Sequence, residues 1–154
     1  MSCTQDFWNA AADLIDVTEK HPFLVAMVDG TLDMESFRYY VVQDALYLGD
    51  FAYALRRLGQ NEGIDPKDAQ RLEAFAKGAE EAELSLHNSF FKEWDINADG
   101  AEQMPNTLLY TSYMKQVVAT RPHSEGLGAL LWLDSDFVPG YHYFLTTRSL
   151  FLPC

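Results

Sequence analysis

The sequence predicts an all-α fold, and three observations carry this prediction. Apolar residues recur at alternating steps of about three and four over residues 37–58, which is the spacing of one face of an α-helix. Helix start and stop signals separate this stretch from others with similar spacing. The hydrophobic share of 48% over 154 residues is enough for a single domain to bury a core of its own.

Start and stop signals place the first helices. Residues 4–20 form the first one, which ends before Pro22 because the residue that precedes a proline is pushed out of helical geometry. A short apolar segment then leads into Asp29-Gly30, a typical turn sequence. The long central helix follows and is predicted to end near Gly59.

The second half of the chain opens on the strongest start signal. Asp65 supplies an acidic N-cap and Pro66 the first helical position, so a helix is predicted from here to Trp94. The sequence then predicts a loop, two further helices and an irregular or extended tail, at residues 95–104, 105–120, 124–133 and 134–154, respectively. We therefore divide the chain into a helical domain, residues 1–133, and an atypical tail, residues 134–154.

Charge and cysteine usage narrow the classes of function. The net charge of −12 and the pI near 4.5 argue against nucleic acid and anionic membrane surfaces as partners, because both repel an acidic protein. We find no basic leader and no apolar stretch near the roughly 20 residues of a membrane span, so we expect a cytoplasmic protein. Cys3 and Cys154 stand at opposite ends and support neither a disulfide framework nor a zinc site.

Asp44 is the one residue out of character in the central helix. It lies three residues after Val41 and four before Leu48, so it shares their apolar face. A carboxylate on the core side of a helix is costly unless it is paired or hydrogen-bonded. Two interpretations account for it equally well: a buried hydrogen bond or arginine partner that serves the fold, or the polar anchor of a ligand pocket.

Two tyrosines extend the second interpretation. Tyr47 lies one turn after Asp44, and Tyr110 is brought in by the helix predicted at residues 105–120. An ionised aspartate can accept two hydrogen bonds from a planar donor edge, such as a ring nitrogen beside an amino group, and tyrosine rings can stack on the ligand. These residues predict a pocket for a heteroaromatic molecule and say nothing about the reaction.

A metal site is the less favoured alternative. Glu83 and His87 are spaced one turn apart, which suits metal ligation in a helical bundle. The other helices lack matching ligands, so we expect no metal, and we interpret Glu80, Glu81 and Glu83 mainly as a solvated acidic face. His21 is interpreted as a helix-end residue rather than a catalytic base.

Several motifs in register carry a family resemblance that covers roughly the first 131 residues. They are HPF at 21–23, DGTL at 29–32, FRYYVVQDALYL at 37–48, EAELSLH at 81–87 and YTSYM at 110–114. On these motifs the chain resembles the TenA family, the thiaminase II or aminopyrimidine aminohydrolase proteins of thiamin salvage.

The resemblance implies a haem-oxygenase-like helical bundle without haem or another cofactor, usually a homotetramer. It also implies hydrolysis of 4-amino-5-aminomethyl-2-methylpyrimidine to hydroxymethylpyrimidine and, in many members, cleavage of thiamin. The aspartate that matches Asp44 would hold the pyrimidine's ring nitrogen and amino group. The tyrosines that match Tyr47 and Tyr110 would line the pocket and assist the chemistry.

The sequence departs from the family pattern where the nucleophile is expected. Many members continue ALLPCxWxY, whereas here 129–131 is followed by Trp132, with no cysteine in register. The C-terminal helices, with their catalytic glutamate, are expected to be missing. The final residues 152–154 read LPC, so Cys154 is a candidate nucleophile, and residues 132–151 are hypothesised to be foreign sequence. The alternative function is a catalytically inactive family member that binds a pyrimidine without hydrolysing it.

Overall fold

A computed structural model describes residues 3–96, 98 and 100–130, and every regular element in these residues is helical. The helices are α1 Cys3–Glu19, α2 Pro22–Val28, α3 Met34–Gly59, α4 Pro66–Gly78, α5 Leu84–Glu93, α6 Pro105–Thr120 and α7 His123–Leu130, and a π-helical turn, Ala79–Glu83, joins α4 to α5. The all-α prediction is confirmed. Among the described helices, none combines the length and the low polarity that a membrane span requires.

The described residues fall into two compact units, residues 3–34 and residues 35–130. The predicted boundary between a helical domain and a tail, after residue 133, lies outside the described residues and stays a prediction. The same holds for the tail at residues 134–154.

The first unit contains α1 and α2. His21 caps the N-terminus of α2, because its Nδ1 accepts a hydrogen bond from the Phe23 N–H at 3.2 Å, and Pro22 occupies the first turn. His21 therefore lies at a helix end, as interpreted from the sequence. Gly30 closes the turn after α2 with φ of +69°, a conformation that glycine adopts without strain.

The second unit is built on α3, which supplies most of its core. The apolar stripe predicted from the sequence is buried, and Val41 and Leu58 are fully enclosed. The remaining core side chains come from the helices packed around α3, namely Leu72 and Ala76 of α4, Met114 and Val118 of α6, and Leu130 of α7. Because α3 packs against all three, its orientation sets where the side chains of α6 meet it.

The helix predicted from Asp65 to Trp94 is interrupted once. The Asp65 side chain caps α4 through the Lys67 N–H at 2.7 Å, as predicted, but the π turn separates α4 from α5. Phe75 was expected inward and is 63% exposed. The buried stripe of α4 consists of Leu72 and Ala76, and it is too narrow to include the residue between them.

Candidate functional site

The rings of Tyr47 on α3 and Tyr110 on α6 stack on each other. Their centroids lie 5.5 Å apart with an interplanar angle of 28°. Phe51 extends the stack on the other side of Tyr47, at 5.9 Å and 20°. Tyr47 is buried and Tyr110 half-buried. The structure thus brings together the two tyrosines singled out in the sequence, in a stack of three rings that joins two helices.

Asp44 lies one helical turn before Tyr47 on α3. It is partly exposed, whereas its apolar neighbours on the same stripe, Val41 and Leu48, are buried. A carboxylate with access to water avoids most of the cost of burying a charge. Asp44 therefore stands at the edge of the core, next to the stacked rings, where a carboxylate is available to a polar ligand.

The environment of Tyr110 favours its neutral form. Burial raises the pKa of the Tyr110 phenol above its ordinary value of 10.0, although a hydrogen bond with Tyr47 works in the opposite direction. At neutral pH the Tyr110 phenol consequently keeps its proton. It can donate a hydrogen bond, or offer its ring face, but it carries no negative charge towards Asp44.

A polar cluster beside the stack was missed in the sequence. Gln43 and Asp50 were expected on the exposed face of the central helix, yet both are half-buried and hydrogen-bonded. Gln43 holds the residues before α6: its Oε1 accepts from the Met104 N–H at 2.9 Å, and its Nε2 donates to the Glu102 carbonyl at 3.1 Å. The available signal was their spacing of seven residues, which places two polar side chains on one helical stripe.

Asp50 connects α3 to α6 and to the loop before it. Its Oδ2 accepts hydrogen bonds from Lys115 Nζ and from Gln103 Nε2, each at 2.8 Å. Burial by itself would raise the pKa of Asp50, but the hydrogen bonds from Lys115 and Gln103 outweigh it and lower the pKa below its ordinary value of 3.8. Asp50 is therefore a charged partner at neutral pH.

A second ionic cluster lies at the π turn. Arg56 of α3 donates from Nη2 to Glu80 Oε2 at 2.8 Å and from Nε to Glu73 Oε2 at 3.1 Å. The hydrogen bonds from Arg56 lower the pKa of Glu80, and the same contacts, with Glu80 first, raise the pKa of Arg56. Glu80 is thus an ion-pair partner of α3, which corrects its assignment to a solvated acidic face.

The described cavity of the second unit lies apart from the tyrosine stack. It encloses about 350 Å³ and is lined by Arg38, Tyr39, Val42, Gln43, Trp94, Asp95 and Ile96. Asp44, Tyr47 and Tyr110 do not line it. The predicted pocket around these three residues is consequently not the cavity seen among the described residues.

Several sequence predictions fall on residues that the structure leaves undescribed. The side chains of Glu83 and His87 are among them, as is Cys154, so the metal-ligand spacing and the candidate nucleophile stay predictions. Within the described part of the chain, no group of three or more His, Cys, Asp or Glu side chains is placed to hold a metal ion. The roles given to Asp44, Tyr47 and Tyr110 also stay predictions.

Comparison with known proteins identifies the family. The family model described as "TENA/THI-4/PQQC family" matches residues 8–135. The chain belongs to the TENA/THI-4/PQQC family. A solved structure, the TenA homologue protein from P. horikoshii OT3, superposes with a TM-score of 0.80 over 97% of this chain and 76% of that one, at 23% identity. The TenA-like helical fold predicted from the sequence motifs is confirmed.

Curated members of this family include aminopyrimidine aminohydrolases. The one from Bacillus subtilis (strain 168) is 33% identical over 139 residues, which cover 86% of this chain and 58% of the relative. The one from Halalkalibacterium halodurans is 32% identical over 120 residues, which cover 76% and 53%. A "Bifunctional TH2 protein, mitochondrial" from Arabidopsis thaliana is 31% identical over 117 residues, which cover 75% of this chain and 18% of that protein. The chain thus spans little more than half the length of the aminohydrolases it matches.

Proposed function

We propose that this protein acts in thiamin salvage as an aminopyrimidine aminohydrolase. Its substrate would be 4-amino-5-aminomethyl-2-methylpyrimidine, with thiamin as a second candidate. The observation that carries the proposal is the stacked pair Tyr47 and Tyr110 with Asp44 one turn away on α3. The printed names of the Bacillus subtilis and Halalkalibacterium halodurans relatives support the same reaction.

The chemistry of these side chains suits an aminopyrimidine. The Asp44 carboxylate can accept hydrogen bonds from the exocyclic amino group and from a protonated ring nitrogen, which lie on one planar edge. The tyrosine rings offer flat apolar surfaces for stacking. Hydrolysis then breaks the bond between the methylene carbon and its amine, water supplies the hydroxyl group that replaces it, and ammonia leaves.

A hydrolysis assay with Asp44→Asn tests the proposal. The aminomethylpyrimidine and thiamin are each incubated with the unmodified chain and with the variant, and products are separated by chromatography. Asparagine keeps the size of the side chain but loses the charge, so turnover and pyrimidine binding by calorimetry should both fall sharply. The matched control is Asp13→Asn, which alters an exposed carboxylate of α1 and should leave both unchanged.

A second candidate function is pyrimidine binding without hydrolysis. Trp132 follows 129–131 in place of the family's Pro-Cys, and this substitution favours it. In the same assay, binding that depends on Asp44 without any product would select this function. Absence of both binding and turnover would refute a pyrimidine site altogether. Turnover that survives Asp44→Asn would refute the role given to Asp44.

We further propose that the protein is a homo-oligomer of the cytoplasm, a tetramer as in the family it belongs to. Support for association comes from the outer face of α6, where Leu108, Leu109 and Tyr113 are more than half exposed. Light scattering coupled to size exclusion gives the mass in solution. Leu109→Glu should lower it if this face is covered, while Gln116→Glu on the same helix serves as the control.

A further inference from the structure

The N-terminus of α6 is held from outside the helix. Its N-cap residue, Met104, makes no side-chain capping bond. The anchoring groups come instead from α3 and from the loop: Gln43 fixes the Met104 N–H, and Gln103 bridges to α3 and α6 at once. The position of α6 on α3 thus depends on a few side-chain hydrogen bonds in addition to its apolar core contacts.

Gln103 uses both ends of its amide. Its Nε2 donates to Asp50 Oδ2 at 2.8 Å and to the Leu46 carbonyl at 3.3 Å. Its Oε1 accepts from the Thr111 hydroxyl at 2.8 Å. Thr111 is fully buried, and it immediately follows Tyr110. A single side chain therefore ties the first half of α6 to the stretch of α3 that carries Tyr47.

We propose that Gln103 is a positioning residue of the tyrosine site: its amide holds α6 on α3 in the register that places the Tyr110 ring against Tyr47. Each residue along an α-helix turns by about 100°. A slip of α6 by one residue would turn Tyr110 away from the stack, whereas a fixed Thr111 next to it prevents this. The bond from Lys115 to Asp50, one turn further along α6, enforces the same register.

The consequence for ligand binding rests on the proposed function. If Tyr47 and Tyr110 contact a pyrimidine, displacing Tyr110 weakens the complex, because a ligand then has to restore the geometry that the free protein lacks. Gln103 would act on the ligand only through Tyr110. It is therefore assigned a positioning role rather than a catalytic one.

Fluorine NMR on protein labelled with 3-fluorotyrosine tests the position of Tyr110 directly. The chain contains 8 tyrosines, and Tyr110→Phe identifies the Tyr110 resonance by its loss. Gln103→Met keeps the length of the side chain and removes all three hydrogen bonds of the amide. We expect it to move or split the Tyr110 resonance and to bring the titration of that phenol to lower pH, since the phenol becomes more exposed.

Two further variants make the result decisive. Gln116→Met makes the same replacement at an exposed position of α6 and should leave the Tyr110 resonance in place. Thr111→Val removes only the hydroxyl bonded to Gln103 and covers the case in which Gln103→Met does not fold. It should move the Tyr110 resonance in the same direction. A Tyr110 resonance unchanged by Thr111→Val, or by a folded Gln103→Met, overturns the inference.

The binding arm separates this inference from the proposed function. For a chain that binds the aminomethylpyrimidine, Gln103→Met should raise Kd roughly tenfold or more, with Gln116→Met unchanged. A displaced Tyr110 with unaltered affinity would overturn the role of Gln103 in the site. A chain that binds no pyrimidine refutes the proposed function, while the fluorine spectra of the free protein still decide whether Gln103 positions Tyr110.

Discussion

Arg56 of α3 forms a two-pronged contact with Glu80 in the π turn, through both terminal nitrogens of its guanidinium group. The remaining nitrogen, Nε, reaches Glu73 one turn earlier, on α4. A π turn is an uncommon element that is poorly stable by itself. Paired hydrogen bonds between arginine and a carboxylate are among the stronger polar contacts. The cluster thus lies where the helix most needs an external contact.

Arg56→Met should lower the melting temperature of the protein. The substitution keeps an unbranched side chain but leaves Glu73 and Glu80 without their cation, in a chain whose net charge is already −12. Thermal unfolding monitored by circular dichroism at low ionic strength measures the effect. Because the three side chains are partly exposed, added salt should screen the contact and narrow the gap between the two proteins.

Arg38→Met is the matched control for this prediction. Arg38 also lies on α3, but it is exposed and forms no ion pair with any described residue. Its replacement should change the melting temperature little. Equal losses in the two variants would show that the cluster at the π turn contributes nothing specific.

The pKa of Asp50 predicts how stability depends on pH. Hydrogen bonds from Lys115 and Gln103 lower this pKa in the folded chain despite burial. The stabilising effect of the charged carboxylate is therefore fully present above its ordinary value of 3.8 and is lost as the pH falls through the lower folded value. Asp50→Asn should cost about 1 kcal/mol at neutral pH.

Urea unfolding of the Asp50→Asn variant at several pH values measures this effect. The difference in unfolding free energy from the unmodified protein should shrink below roughly pH 4, as Asp50 itself becomes protonated. Asp13→Asn, at an exposed site on α1, is the comparison. A difference for Asp50→Asn that is constant over the whole pH range would contradict the charged state assigned to Asp50.

Most of the fold could be predicted from the sequence because local signals agreed with one another. Asp65-Pro66 marked a helix start that the structure places at the same point, and the apolar spacing of 37–58 lies inside α3. The π turn could not be predicted, since the stretch 79–83 has no Gly or Pro to interrupt the helical pattern. Its position depends on Arg56, which is distant in sequence.

The candidate site shows the same division. Tyr47 could be placed near Asp44 because both lie on one helix at a spacing of three residues. Its contact with Tyr110 followed only from the family motif, because helical spacing does not say which helices are neighbours. Gln103 was read as an ordinary loop residue. Its hydrogen bonds to Asp50 and Thr111 depend on how α6 meets α3, which no local pattern encodes.

Gly126 and Gly49 should respond to alanine in opposite directions. A Cβ on Gly126 in α7 would lie 2.5 Å from Leu58 Cδ1, and Leu58 is fully buried, so it has little room to move. We expect overpacking to cost about 1–3 kcal/mol, only partly offset by the gain of up to about 1 kcal/mol from replacing a helical glycine. Gly126→Ala should therefore destabilise the protein.

Gly49→Ala is the counterpart within α3. No atom of the described residues lies within 4 Å of a Cβ built there, so only the helix propensity changes and stability should rise by about 0.5–1 kcal/mol. Urea unfolding of both variants measures the two signs, with the slope of the transition checked for a change in the unfolded state. A stabilised Gly126→Ala would mean that Leu58 yields without cost, and α7 would then be packed against α3 more loosely than the 2.5 Å approach implies.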